Sequence, residues 1–314
     1  MTFPKVSIAI ITYNQKDFLG ECIESCLAQD YQNFEIVIAD DGSSDGTKEA
    51  ILRYAAQYPT LIKPVVADKN SGISVNCNNA WRACSGEWIK TIAGDDKLKP
   101  HCLSSFVAQA LKDEGSCDAY FSHMTTFDKH GAVNEVRLDD FFFGLSDEDR
   151  LKFALYKNPL PAPTCFIKKS ALEDADFADV DFMMLEDYPL WFKLLELKKK
   201  ISSIDASTIF YRVGFGVSNG AEKICNIFYV RSLHAFRIKK LWPHLRGWSS
   251  LKKLDDLAYF YQNSWGHRFL GNKRGLTYSV LVLLMAPFRL FSWLLLSKRV
   301  FSWVIRSTSL RQVG

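Results

Sequence analysis

The chain has 314 residues, of which 48% are apolar and 24% are charged. This composition excludes an intrinsically disordered protein and predicts one large hydrophobic core or two smaller ones. The net charge of +4 combines an acidic body with a basic tail, because residues 231–314 carry 15 Lys and Arg against 2 Asp and Glu, and residues 1–230 carry 24 against 33. The tail is also rich in Trp, Phe and Leu, so we expect it to meet a membrane surface and expect no nucleic-acid partner.

The eight cysteines are irregularly spaced and include no Cys-x-x-Cys pair. This pattern predicts small buried hydrophobic side chains in a reducing compartment, not a disulfide framework. A single lysine precedes the first apolar run, so we expect no secretory signal. Together with the basic tail, these features predict a cytoplasmic protein that is peripheral to the inner face of the cell membrane.

Over the first 96 residues, apolar β-branched runs alternate with segments of helical spacing. The runs have little polar alternation, which is typical of strands covered on both faces in a parallel sheet. Right-handed crossovers place the carboxyl ends of such strands on one edge, so the polar residues at 12–14, 40–45 and 95–96 are expected to meet there. Strands are predicted at 6–11, 34–39, 61–66 and directly before 95, and helices at 17–29, 48–57 and 74–85.

The adjacent carboxylates Asp95 and Asp96 follow Gly94 at the end of the fourth predicted strand. Ligands of open α/β sheets collect beyond the carboxyl ends of the strands, and a hard divalent cation that holds a diphosphate needs carboxylate oxygen there. The pair would alternatively open a turn or cap the next helix. The nearby asparagines at 76, 78 and 79 cap a helix, face solvent or bind a polar ligand.

From Pro100 onward the alternation is looser. Phe141, Phe142 and Phe143 form either a lid that excludes water or a part of the core. Glu186 and Asp187 either complement the N-terminus of the following helix or supply a catalytic carboxylate. The pattern predicts helices at 101–112 and 189–197, strands at 119–123, 164–167 and within 201–213, and a mobile loop at 138–149.

Four segments in this order resemble the family 2 inverting glycosyltransferases of the GT-A fold, and they cover residues 5 to about 213. They look most like bacterial members that build capsule, lipopolysaccharide or exopolysaccharide. The segments are Thr12-Tyr13-Asn14, the Asp-Asp-Gly-Ser-x-Asp-Gly-Thr run at 40–47, Asn70-x-Gly72 with Asn78 and Gly86-Glu87 leading to Gly94-Asp95-Asp96, and Glu186-Asp187.

The resemblance implies an α/β fold with a Rossmann-like, mostly parallel sheet flanked by helices, with a nucleotide-sugar-binding half at 1–99 and an acceptor-binding half at 100–215. The charge and composition of the tail predict a helical, basic, membrane-associating C-terminal extension at 216–314.

The resemblance also implies roles for single residues. Tyr13 and Asp41 match positions that hold the uracil of a UDP-sugar, with Thr12 beside them, and Asp187 matches the general base. Asp95 and Asp96 match the carboxylates that bind metal, Mg²⁺ or Mn²⁺, and ribose. The complete expected donor-binding set is Thr12, Tyr13, Asn14, Asp41, Asn70, Asn78 and Asp95.

Three positions depart from the family pattern. Ala93 replaces an acidic residue of the metal motif, Cys77 replaces an arginine, and Gly214 stands near the place of a common histidine after Tyr211-Arg212. We therefore expect the metal affinity to be weak.

The expected activity is inverting transfer of a sugar from a nucleotide donor, UDP-linked, to a hydroxyl of a glycan or lipid-linked acceptor in bacterial surface polysaccharide synthesis. A sugar nucleotidyltransferase is one alternative, although residues 12–15 lack the Gly-rich phosphate loop it needs. A non-catalytic nucleotide-sugar-binding scaffold is the other.

Residues 280–296 are apolar except for Pro287, Arg289 and Ser292. The arginine and proline make a spanning helix marginal, so we expect helices that lie on the cytoplasmic leaflet. Trp293 and Trp303 suit that interface. The alternative is a helical pair packed on the catalytic domain or on a second subunit.

Overall fold

A computed structural model describes residues 3–131, 133–214 and 223–289. The chain divides into two compact units. The sheet unit contains the described residues within Met1–Gly144, Leu160–Val180 and Glu186–Val213, and the helical unit contains those within Leu145–Pro159, Asp181–Leu185 and Gly214–Gly314.

One nine-stranded sheet forms the centre of the sheet unit. The strands are β1 (Val6–Thr12), β2 (Phe34–Asp40), β3 (Ile62–Val66), β4 (Trp88–Ala93), β5 (Lys97–Leu98), β6 (Ala119–Phe127), β7 (Val133–Val136), β8 (Cys165–Lys168) and β9 (Ile201–Arg212). Their order is β3-β2-β1-β4-β8-β6-β9-β5, with β7 on β6.

The first four strands are parallel, as their apolar runs predict. All seven residues of β1 are buried, which fits a strand covered on both faces. Thr12 pairs with Asp40, and Ile11 pairs with Ala93, so three strands end at the same level. The expected meeting of polar strand ends on one edge is therefore confirmed.

The rest of the sheet is mixed. Strand β8 is antiparallel to both β4 and β6, while β6 and β9 are parallel. The expected α/β fold with a helix-flanked sheet is confirmed, and its parallel part consists mainly of β1–β4.

Helices connect and cover these strands, and three more follow β9 in the sequence. They are α1 (Lys16–Leu27), α2 (Thr47–Gln57), α3 (Ile73–Ala83), α4 (Cys102–Lys112), α5 (Asp140–Phe143), α6 (Asp147–Ala154), α7 (Lys169–Asp174), α8 (Tyr188–Glu196), α9 (Ile227–Phe236), α10 (Leu251–Phe269) and α11 (Leu276–Met285).

The prediction of a mobile loop at 138–149 is wrong. Two short helices, α5 and α6, form there, because each has a side-chain cap at its start. Asp139 Oδ1 accepts the backbone N–H of Phe141 at 3.0 Å, and Ser146 Oγ accepts that of Asp149 at 3.2 Å. Phe142 is buried, so for this ring the core alternative holds.

The hydrophobic core of the sheet unit lies between β1, β2 and β4 and the helices α1 and α4. Six of the eight cysteines are buried, and all eight are free, as expected from their spacing.

The predicted membrane segment at 280–296 is only partly described. It contains the end of α11 and a 3-10 turn at Ala286–Arg289, while 290–296, Trp293 and Trp303 lie outside the described residues. Among the helices that the structure describes, none is sufficiently long and apolar to cross a bilayer.

Candidate functional site

The ends of β1 and β2 are joined by Asn76 from α3. Its side-chain amide donates to the main-chain oxygens of Thr12 and Ala39, at 3.2 and 3.1 Å. Asn76 is buried and links two strand ends, which is none of the three roles expected for the helix asparagines. This role depends on residues far away in sequence and was not predictable from spacing.

The segment after β2 packs against the loop that precedes α3. The carboxylate of Asp41 accepts the backbone N–H groups of Ser71 and Gly72, at 2.8 and 2.9 Å. Gly42 has φ +72°, and a Cβ there would lie 2.6 Å from the main-chain carbon of Lys69, so only glycine fits. Asp41 thus fixes the loop before α3, in which the exposed Asn70 lies.

Tyr13 and Asn14 form a turn that is hydrogen-bonded to the segment after β2. Asn14 has φ 52°; its N–H donates to Ser43 Oγ at 2.8 Å, and its Oδ1 accepts the N–H of Ser44 at 2.9 Å. Tyr13 keeps 42% of its surface exposed beside this turn. An exposed phenol on a braced turn is suited to stacking against a planar base.

Gly94 allows the end of β4 to lie against Thr12 and Gln15. A Cβ at Gly94 would lie 2.8 Å from Gln15 Oε1 and 2.9 Å from Thr12 Oγ1. In the described part of the chain, these two oxygens and Asp96 Oδ2 are buried and have no hydrogen-bond partner. Buried polar atoms without partners at the ends of strands are expected where a polar ligand or cation binds.

Arg212, at the end of β9, holds the Asp95–Asp96 pair. Its backbone N–H donates to Asp96 Oδ1 at 2.8 Å, and its Nε donates to the main-chain oxygen of Asp95 at 2.8 Å. Its guanidinium also lies over the rings of Phe18 and Phe127. The sequence showed Arg212 only as part of a Tyr-Arg pair and gave no sign of this contact.

Desolvation dominates the electrostatics of the pair. Burial, and after it the charge of neighbouring Asp95, raise the pKa of Asp96 to about 8, although Arg212 and Lys90 oppose the shift. Burial also raises the pKa of Asp95. Two adjacent desolvated carboxyls with a raised pKa gain most from a bound cation.

Lys90 on β4 is fully buried. Its ammonium donates to the main-chain oxygens of Thr91, Pro163 and Cys165. Burial lowers its pKa. A buried cation on this largely apolar strand was not predicted. Its hydrogen bonds to Pro163 and Cys165 join the Pro-rich segment to β4.

Glu186 and Asp187 precede α8. Asp187 Oδ1 accepts the N–H of Tyr188 at 2.6 Å, so this carboxylate caps the helix, as one of the two interpretations predicts. Burial, and after it the charge of Asp187, raise the pKa of Glu186 to about 8. The role of Asp187 as the base stays a prediction.

Two buried or partly buried groups interact electrostatically with these carboxylates. Burial raises the pKa of Tyr211, and the charges of Asp96, Asp95 and Glu186 raise it further. One phenol on β9 therefore lies near both carboxylate pairs.

The second group is the Cys77 thiol on α3. Burial raises its pKa, and Glu186, Asp187 and Asp41 raise it further. The Asp41 carboxylate and the Glu186–Asp187 pair therefore face a common region of the sheet unit.

Asn78 has a different environment. Its amide donates to the main-chain oxygen of Ala178 at 2.9 Å, and its Oδ1 accepts the N–H of Ala178 at 2.9 Å. It is buried, and both of its polar atoms are used in this contact. A role of Asn78 in donor binding stays a prediction.

Within residues 3–131, 133–214 and 223–289, no cluster of three or more His, Cys, Asp or Glu side chains is arranged to hold a metal ion. The pair of Asp95 and Asp96 nevertheless fits a cation whose other ligands come from a diphosphate and water, because Asp96 Oδ2 is buried and unsatisfied.

Comparison with known proteins gives one family. The model of "Glycosyl transferase family 2" matches residues 7–175, which is more than half of the chain. The chain is 34% identical over 128 residues to the putative glycosyltransferase EpsE of Bacillus subtilis, a match of 41% of this chain and 46% of EpsE. It is 34% identical over 110 residues to the chondroitin synthase of Escherichia coli, a match of 35% of this chain and 16% of that protein.

Solved structures share the fold. Residues 1–349 of Staphylococcus aureus TarS, in complex with UDP-GlcNAc, superpose with a TM-score of 0.58 at 20% identity, over 94% of this chain and 82% of that one. The mannosyltransferase PcManGT of Pyrobaculum calidifontis, in complex with GDP-Man and Mn²⁺, gives 0.55 at 16% identity, over 96% and 84%. At these identities the likeness shows the fold alone.

Proposed function

We propose, since the chain belongs to glycosyl transferase family 2, that it moves a sugar with inversion from a UDP-linked donor to a hydroxyl of a glycan or lipid-linked acceptor. The observation that carries this proposal is the clustering of unsatisfied and desolvated polar groups at the strand ends. Thr12 Oγ1, Gln15 Oε1 and Asp96 Oδ2 are all buried there without partners within the described chain.

The donor's base and ribose would lie along the rim made by Tyr13, Asn14, Asp41 and Asn70. Tyr13 offers an exposed ring, and Asp41 is rigidly held by two backbone N–H groups. A nucleotide-sugar donor is supported by the shared fold of TarS, whose structure contains UDP-GlcNAc. The assignment of these residues, and of Thr12, Asn78 and Asp95, to the donor is part of the proposal.

The diphosphate would lie at Asp95 and Asp96, which would hold Mg²⁺ or Mn²⁺. When bound, the cation would neutralise the charge that develops on the leaving diphosphate. Arg212 fixes the orientation of the Asp96 carboxylate through its backbone N–H. The carboxylates that would hold the cation are thus preorganised before the donor arrives.

Asp187 would accept the proton of the acceptor hydroxyl as this hydroxyl attacks the anomeric carbon. A single carboxylate base suffices, because the diphosphate leaves without a proton. The neighbouring Glu186, with its raised pKa, remains protonated near neutral pH, so that Asp187 does not face a second full charge.

The acceptor would be a growing surface polysaccharide or its lipid-linked precursor. This assignment is supported by likeness to a protein named chondroitin synthase. A lipid-linked acceptor would place the chain in the cytoplasm at the inner face of the cell membrane, where the basic residues of the helical unit favour an anionic surface.

A thermal-shift screen of nucleotide sugars, with and without Mn²⁺, tests the proposal. We expect a UDP-sugar to raise the melting temperature, with a larger shift when Mn²⁺ is present. The matching UDP-sugar should then be consumed when acceptor-containing membranes are added. Binding that is independent of metal and never leads to transfer would instead favour a non-catalytic scaffold, and the lack of a shift with any nucleotide sugar would contradict the proposed donor class.

A further inference from the structure

Helix α10 of the helical unit buries its polar face and exposes its apolar face. A helix of an ordinary soluble domain does the reverse. Its buried side chains are mostly charged or amide groups, namely Lys252, Asp255, Asp256, Gln262 and Asn263. Its exposed large apolar side chains are Leu251, Leu254, Tyr261, Trp265 and Phe269. The exposed set recurs at intervals of 3, 7, 4 and 4 residues, so it forms one stripe along the helix.

The polar interior fixes this orientation. Lys252 is 3% exposed and donates to Asp255 at 2.6 Å and also to Asp256. Arg237 pairs with Asp256 at 3.3 Å, and Trp242 Nε1 donates to the same carboxylate at 3.0 Å. The Lys252 contacts lie within α10 itself, but turning this helix to bury its apolar stripe would separate Asp256 from Arg237 and Trp242, which is unfavourable for a buried carboxylate. The contacts of the polar face therefore keep the apolar stripe on the outside of the helical unit.

Helix α11 extends the same kind of surface. Its sequence is almost entirely apolar, yet none of its residues is buried. Leu276 is 83% exposed and Leu283 is 71% exposed. Tyr278 anchors α11 on α10, because Gln262 donates to its hydroxyl at 3.0 Å and Gly266 leaves room for its ring.

The charge of this region has a single sign on the outside. Residues 223–289 contain twelve Lys and Arg and two acidic residues, Asp255 and Asp256. Both acids are buried, whereas eight of the twelve basic residues are exposed, including Arg268, Lys273 and Arg274. Elsewhere in the helical unit Asp147, Glu148 and Asp181 are exposed, and Asp181 pairs with Lys239 at 3.0 Å. Between Leu251 and Met285, which spans α10 and α11, the exposed charged side chains are all basic.

We propose that the outward stripe of α10, together with α11 and the basic residues Lys273 and Arg274, is a docking surface for an anionic phospholipid bilayer. We call this set the lipid face. Aromatic and aliphatic side chains would enter the interface, while the flanking cations meet lipid phosphates. This docking surface would bring the enzyme to the lipid-linked acceptor of the proposed function, and its biological purpose rests on that proposed function. Lipid binding itself does not require catalysis.

Charge selects the bilayer over a second copy of the chain. Two lipid faces brought together would oppose their cationic rims without any exposed carboxylate from residues 223–289 to compensate. An anionic bilayer supplies both an apolar layer and the opposite charge. An apolar stripe flanked by basic side chains suits helices that lie on a membrane surface.

Vesicle sedimentation of the full chain tests the proposal. We expect it to bind vesicles of phosphatidylcholine with phosphatidylglycerol, to bind phosphatidylcholine alone much less, and to be weakened by high salt. The double variant Leu254→Ser with Trp265→Ser should bind at least about 10-fold more weakly, because apolar burial is lost. The double variant Lys273→Glu with Arg274→Glu should also lose at least about 10-fold, because each basic residue attracts the anionic surface.

Matched variants in the sheet unit control for general effects. Leu52 is 46% exposed, so Leu52→Ser removes a similar exposed leucine, and Lys112→Glu with Lys193→Glu makes the same change in charge at exposed positions. Both controls should bind vesicles as the native chain does. Circular dichroism and UDP binding should be unchanged in all four variants, which separates loss of docking from loss of fold.

Native-like vesicle binding by both lipid-face variants would overturn the proposal. The proposal would also be overturned if the native chain did not bind anionic vesicles but formed dimers in light scattering, and if the lipid-face variants abolished these dimers. The lipid face would then be an interface between copies of the chain. If vesicle binding follows the prediction while UDP-sugars do not bind, the lipid face stands and the proposed function fails.

Discussion

The backbone N–H of Arg212 donates to Asp96 Oδ1 at 2.8 Å, across 116 positions of sequence. The same residue's Nε holds the main-chain oxygen of Asp95 at 2.8 Å. The end of β9 therefore determines where the two carboxylates after β4 point. A cation site made of only two aspartates depends on such support, because small displacements of the ligands weaken binding and catalysis.

We expect Arg212→Lys to weaken Mn²⁺-dependent UDP binding by roughly 10-fold. The lysine keeps the charge and the backbone N–H but loses the Nε bond to Asp95 and the planar group between Phe18 and Phe127; a charge-assisted hydrogen bond contributes about 1.5 to 3 kcal/mol. Titration calorimetry with UDP measures the effect.

Glu21→Gln is the matched control, because it removes the outer ion pairs of Glu21 with Arg212 and Lys97 and leaves the contacts of Arg212 with Asp95 and Asp96 in place; the Glu21 side chain is 53% exposed. It should change UDP affinity by less than about threefold. Unchanged UDP affinity in Arg212→Lys would mean that the side chain does not support the carboxylates.

Gly94→Ala should reduce UDP affinity while leaving the chain folded. The new Cβ would lie within 3.0 Å of Thr12 and Gln15, so these side chains must move away from the strand end. Gly20→Ala is the control, since its Cβ would meet only Tyr54 Oη at 3.7 Å. Thermal unfolding and UDP titration of both variants distinguish the outcomes. Native UDP affinity in Gly94→Ala would show that the arrangement around Thr12 is not needed.

Asp95→Ala should abolish transfer and remove the part of UDP binding that depends on a divalent ion. Its carboxylate lies beside Asp96, whose Oδ2 is buried without a partner in the described chain. Titrating UDP with and without Mn²⁺ gives the metal-dependent part directly. Asp30→Ala, at an exposed position, should behave as the native protein does. Full activity of Asp95→Ala would remove this pair from the proposed site.

Much of the fold was predictable because local patterns determine it. The apolar runs of β1 and β2 and the helical spacing between them are local signals, and the common edge of their ends follows from the handedness of crossovers. Asp95 and Asp96 were found for the same reason. Their proximity to the ends of β1 and β2 required no knowledge of side-chain contacts.

The remaining features depend on partners that are distant in sequence. Asn78 is clamped to Ala178, 100 residues away, and Arg212 reaches Asp96 across the sheet. Lys90 is buried because three carbonyl oxygens surround its ammonium. For α10, composition indicated a membrane-binding region, but only the structure shows that its charged residues face inward.

Glu186→Gln should stabilise the protein, increasingly so as the pH rises. The pKa of Glu186 is about 8 in the folded chain and near 4.5 when unfolded, so the folded state retains a proton that the unfolded state loses over this window. Native stability therefore decreases between pH 4.5 and 8, whereas a neutral glutamine does not titrate.

At pH 8 we expect the glutamine variant to gain roughly 1 to 3 kcal/mol relative to native, and at pH 4 little difference. Urea unfolding at several pH values measures this. An equal effect at both pH values would show that Glu186 ionises in the folded chain as it does in water.

The turnover of Asp187→Asn, measured together with the affinity of this variant for UDP, tests the proposed mechanism most directly. Asparagine keeps the volume of the side chain and an oxygen that can accept the N–H of Tyr188, but it cannot take a proton from the acceptor. If Asp187 is the base, transfer should fall by about 10² to 10⁴-fold while UDP affinity stays native. A variant that retains more than about a tenth of native turnover, or one that loses UDP binding, would contradict the assigned mechanism.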